Sequence, residues 1–133
     1  MNTYNLFISH SWKYNDTYES LVRLLKGRGY FDFKNYSVPR IDPIIGANSH
    51  SALYSAIQNQ MRPSQVVLIL AGVYASYSTW IDAEIRIAKD WKKPIIAIEP
   101  WGSERTSKVV KDAANRIVKW NSDSIVKAIR ELA

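Results

Sequence analysis

Cysteine is absent from the 133 residues, which excludes disulfides, thiolate nucleophiles and cysteine-ligated metals and suits a reducing compartment. Histidine occurs only as His10 and His50, without metal-ligand spacing, so no metal site is expected. His10 reads first as a loop histidine bonding locally, with ligation or proton shuttling as the alternative. The five glycines form neither GxxxxGK[ST] nor GxGxxG, which disfavours nucleoside triphosphate hydrolysis and Rossmann-type dinucleotide binding. Long apolar runs are missing too: residues 68–75 are too short to span a bilayer. The opening Met1-Asn2-Thr3-Tyr4 lacks the basic region of a signal peptide. The expectation is a soluble cytoplasmic protein with no membrane contact.

What is present is ordinary for one globular domain spanning residues 1–133, at 47% hydrophobic and 23% charged. The formal net charge is +6, with most of the surplus after residue 85. There Arg86, Lys89, Lys111 and Arg116 alternate with Asp90, Asp112 and Asp123, mostly at helix-surface spacings, so solvated helix faces are expected rather than a nucleic-acid patch.

The hydropathy pattern alternates strand and helix five times. Strands are predicted at residues 4–9, 31–38, 66–71, 94–99 and 116–120. The third, Val66-Val67-Leu68-Ile69-Leu70-Ala71, is apolar without alternation, as a strand buried on both faces of a parallel sheet should be. Between the strands, Leu53, Ile57 and Met61 mark one helix and Ile81, Ile85 and Ala88 another. Val109, Val110 and Ala113 mark a weaker helix, and Ile125, Ala128, Ile129 and Leu132 the last, capped by Asn121. The fold class is α/β, a flavodoxin-like, doubly wound five-stranded parallel sheet of order 2-1-3-4-5. Right-handed crossovers then gather all the strand carboxyl ends on one edge, where such sheets bind ligands.

That edge should carry the loops 9–12, 38–46, 72–79 and 100–103, with Glu84 projecting among them. The loop Ser9-His10-Ser11-Trp12 lacks the glycine of an FMN phosphate cradle. Strand 3 ends in Ala71-Gly72, without the aspartate of a phosphoacceptor domain. What remains is one carboxylate, Glu84, four residues after Trp80 on a helix opened by Thr79 and Asp82. Ordinary glycosidases need a second carboxyl to protonate the leaving oxygen. The nicotinamide of NAD departs neutral, so a lone carboxylate that steadies the oxocarbenium-like transition state suits that cleavage. The competing reading is a glutamate placed for the helix dipole and paired with Arg86 or Lys89. Trp80 is expected to wall the site, on Glu84's face and away from Ile81, Ile85 and Ala88, and Glu84 to stand ionised at the cleft mouth.

These residues resemble a Toll/interleukin-receptor (TIR) domain, in the bacterial TIR-like branch that includes the Thoeris antiphage sensor subunit. Leu6-Phe7-Ile8-Ser9-His10-Ser11 resembles the opening strand motif, and residues 37–46 the BB-loop region. Trp80-x-x-x-Glu84, followed by Ala88 and Lys93-Pro94-Ile95-Ile96, resembles the third helix and fourth strand, and Trp120-Asn121 with Ser124-Ile125 the close of this branch. The resemblance implies NAD cleavage with Glu84 catalytic, giving ADP-ribose or cyclised ADP-ribose isomers, the latter acting as messengers to a separate effector. It implies that Phe7, Ser9, His10 and Ser11 line the ribose and nicotinamide end, with Trp80 beside it and the loop's Asp42 in the substrate-binding set. NAD is substrate, and no bound cofactor is expected. Self-association, or contact with another TIR or trigger protein, is the implied partnership, although the loop 40–46 departs from the usual acidic-Pro-Gly pattern. The alternative function is a non-catalytic TIR interaction module.

Overall fold

The computed structural model describes residues 3–9, 15–37, 50–72, 79–99 and 106–133. The expectations for His10, Ser11 and Asp42, and for most of the four edge loops, lie outside the described residues.

The elements run β1 (Thr3–Ile8), α1 (Asn15–Gly27), β2 (Asp32–Tyr36), α2 (His50–Met61), β3 (Val66–Leu70), α3 (Thr79–Asp90), β4 (Ile95–Ile98), α4 (Lys108–Ala113), β5 (Arg116–Val118) and α5 (Ser122–Leu132). Among the described residues one sheet contains five strands in the order β2-β1-β3-β4-β5, each strand pairing with its neighbours in parallel, as the sequence pattern predicts. Every residue of β3 and β4 is buried, because helices cover both faces of the central strands. Edge strand β2 (DFKNY) contains no fully buried residue.

Strand alternation divides the interior into two layers. Phe7, Val67, Ile69, Ile95 and Ala97 face one side, where they pack with Ile57 and Met61 of α2, Ile81, Ile85 and Ala88 of α3, and Val110 of α4. Leu6, Ile8, Leu68, Ile96 and Ile98 face the other, against Leu21 and Leu25 of α1 and Ile125 and Ile129 of α5. Helix ends follow local chemistry. The Asn121 side chain accepts from the Ser124 backbone N–H at 3.0 Å, the predicted cap. Ser107 caps α4 in the same way, accepting from Val110 N at 3.3 Å. After α1, Gly29 turns the chain at φ 81°. Val109 departs from its predicted inward position and faces solvent, since a helix as short as α4 keeps only one side on the sheet and Val110 occupies it.

Candidate active site

Ser9 follows β1 directly. Its backbone N–H donates to Leu68 O at 2.8 Å, so β3 holds it in sheet geometry one step beyond the strand. Alternation puts its side chain on the same face as Phe7, beneath α3. From there the Ser9 hydroxyl donates to Glu84 Oε1 at 2.6 Å, and the bond is buried. Glu84 has no solvent exposure and Ser9 has 3%. A carboxyl group this far from water requires polar partners, and Ser9 is one of them.

This corrects the expectation that Glu84 stands at the mouth of a cleft. Asp82, Arg86, Lys89 and Asp90 form the solvent stripe of α3, and Arg86 pairs with Asp82 at 3.0 Å rather than with Glu84. At 100° per residue Glu84 lies opposite that stripe, at the centre of a buried arc running from Ala83 through Ile87 and Ala88 to Ile85. Glu84 therefore shares the inward face of Ile81, Ile85 and Ala88 instead of lying apart from it. The polar stripe was the signal that would have found this from sequence. Trp80 sits in the first turn of α3, one turn before Glu84; its side chain lies outside the described residues. Phe7, assigned to the ribose and nicotinamide end, is fully buried in the core shared with α2 and α3, two residues before Ser9. It underlies the Ser9–Glu84 pair instead of presenting a surface.

A second polar cluster occupies the same edge of the sheet, and the sequence reading missed it. Glu99, immediately after β4, receives Lys111 Nζ on Oε2 at 3.0 Å and Lys119 Nζ on Oε1 at 2.9 Å. Lys111 Nζ also donates to Thr106 Oγ1 at 3.1 Å. The hydrogen bonds from Lys119 and then Lys111 hold the Glu99 carboxyl below the usual carboxylate range, against a smaller opposing effect of burial. Among the described residues no group of histidine and acidic side chains is arranged to hold a metal.

Residues 7–105 match the family model described as Thoeris protein ThsB, TIR-like domain. The chain belongs to this Thoeris TIR-like family. It is thus a TIR protein of antiphage defence, and the matched span contains Phe7, Ser9, Trp80, Glu84 and Glu99 but ends before Lys111 and Lys119. No curated protein matches the sequence. Among solved structures, a 3-dehydroquinate dehydratase-like protein from Bifidobacterium longum is similar at a TM-score of 0.49 and 9% identity, over 99% of this chain and 95% of that one. So remote a likeness carries no argument; the flavodoxin-like fold rests on the chain's own strand order and the TIR-like assignment on the family match. Among the described residues no helix is long and apolar enough to cross a membrane.

Proposed function

We propose that this TIR-like chain cleaves the nicotinamide–ribose bond of NAD, yielding nicotinamide and an ADP-ribose product, linear or cyclised, that signals to a separate effector. The observation that carries the reading is the buried 2.6 Å hydrogen bond from Ser9 to Glu84, at the sheet edge where parallel α/β folds bind ligands. As the glycosidic bond breaks, its electron pair goes to the nicotinamide nitrogen, which loses its positive charge, and cationic character passes to the ribose. Water, or a nucleophile of the same molecule, then adds to the ribose carbon. Glu84 steadies that cation, and it does so more strongly because it is shielded from water. Ser9 fixes the orientation of the carboxyl group before substrate arrives, and a ribose hydroxyl takes another of its acceptor sites in the complex. In this reading His10, Ser11, Asp42 and Trp80 complete the pocket, Phe7 supports it from the core, and self-association or a trigger protein brings the site to its working form.

Concentrated protein incubated with NAD, followed by mass analysis of nicotinamide and the ADP-ribose species, is the test. Glu84→Gln keeps the size but removes the charge, so turnover falls by about a hundredfold or more, the equivalent of a few kcal/mol. The complete burial of Glu84 favours one other reading, a non-catalytic interaction module in which the pair merely ties α3 to β1. That module predicts no nicotinamide release by the wild type at any concentration, with or without a trigger, and intact phage protection in Glu84→Gln. Those two results together refute the enzyme.

A further inference from the structure

The Glu99 cluster brings more charge to the sheet edge than its own pairing consumes. Among the described residues two ammonium groups meet one carboxylate, one positive charge more than the pairing balances. Each ammonium has three N–H donors. Lys111 directs two of them, to Glu99 and Thr106, and Lys119 directs one, to Glu99. The Lys119 side chain is 84% exposed, whereas that of Glu99 is 16% exposed, so among the described residues the carboxylate anchors the lysines from beneath and the Lys119 ammonium faces outward, toward an incoming anion.

Position connects this cluster to Glu84. Ile8 pairs with Leu68 and Leu70 with Ile98, so Ser9 lies beside Ile69 and Glu99 beside Ala71, with β3 between them. Ordinary strand spacing and rise then place the Cα atoms of Ser9 and Glu99 ~12 Å apart. Alternation sets Glu99 with Ala97 and Lys119 with Ile117, the partner of Ala97, on the face that also carries Phe7, Ser9 and α3. The lysines thus stand along the same edge and the same face as the Ser9–Glu84 pair, at a separation suited to one nucleotide laid across β3.

We infer that Lys119 and Lys111, anchored by Glu99, form a diphosphate-holding subsite that receives the pyrophosphate of the dinucleotide whose ribose lies at Glu84. The inference deepens the NAD reading and rests on it for the ligand's identity. Lysine serves phosphate as a mobile point charge, so Lys119 can turn from Glu99 toward the phosphate oxygens without movement of the backbone. The subsite binds and positions; it takes no part in bond cleavage.

ADP, which has the diphosphate but no nicotinamide, is the probe. Calorimetric titration should show ADP binding to the wild type, the same affinity in Glu84→Gln, and an affinity about fivefold or more weaker in Lys119→Met, a change at an exposed position that leaves folding intact. With NAD as substrate, Lys119→Met raises KM and leaves kcat within about twofold, while cleavage of nicotinamide riboside, which has no phosphate, does not change. Absence of ADP binding by the wild type, or equal binding by Lys119→Met, overturns the subsite. Lys119-dependent ADP binding without nicotinamide release from NAD supports the subsite and counts against the NAD reading alone.

Discussion

Ser9→Ala removes a donor to a fully buried carboxyl oxygen while leaving almost no void, which makes its effect calculable. A hydrogen bond to a charged group contributes about 1.5–3 kcal/mol, against about 1 kcal/mol for a neutral pair. Glu84 has no exposure and Ser9 only 3%, so water cannot readily replace the lost hydroxyl. The expected cost is about 2 kcal/mol, a fall in Tm of roughly 6–10 °C for a domain of this length. Urea unfolding at neutral pH measures it, and an unchanged m-value shows that the unfolded state is unaffected. In a Glu84→Gln background the acceptor becomes a neutral amide oxygen, so the same Ser9→Ala change should cost only about 1 kcal/mol. The cycle then yields a coupling of about 1 kcal/mol. A Ser9→Ala cost below about 0.5 kcal/mol, or an equal cost in both backgrounds, would refute a charge-assisted bond between these residues and with it the view that Ser9 holds the carboxylate.

Two further outcomes concern the frame around the site. Ile69→Ala, in the middle of β3 with no exposure, should cost about 3–4 kcal/mol in the same urea assay, and a loss below about 1.5 kcal/mol would contradict its central position. Glu99 has a folded-state pKa below its unfolded value, so its pairing contributes fully above the unfolded pKa and is lost as pH falls through the folded one. Stability followed from about pH 6 to 3 should therefore decline less steeply in Glu99→Gln than in the wild type below about pH 5, and parallel curves would show that Lys111 and Lys119 contribute nothing to acid stability.

The legible part of the fold was the part written in continuous or periodic hydrophobicity. The β-branched run from Val66 to Leu70 reads as a strand covered on both faces, which it is, and Ile81, Ile85 and Ala88 repeat at helical spacing toward the core. Val109 shows the limit of that logic, because Val109 and Val110 lie about 100° apart on a helix with one buried side, and composition does not say which of them faces the sheet. The site was partly legible. Glu84 stood out as a lone carboxylate at the right edge, yet its charge argued for a solvent-facing position, whereas its helical phase, opposite Asp82, Arg86 and Lys89, put it inside.

By itself the sequence determined the alternation of strands and helices, the parallel sheet and its order, the edge that gathers the loops, and the family. The alternation, the parallel sheet and its edge depend on local periodicity and on the handedness of crossovers, the strand order on the commonest five-stranded arrangement, and the family on motifs along residues 7–105. Only the tertiary structure decided that the Ser9 hydroxyl meets Glu84 across 75 residues, and that Lys111 and Lys119 converge on Glu99 from a helix and from the end of a strand. Such partnerships depend on strand register and helix phase together. Nothing in the local chemistry of a serine, a glutamate or a lysine specifies which distant residue the packed sheet will set beside it.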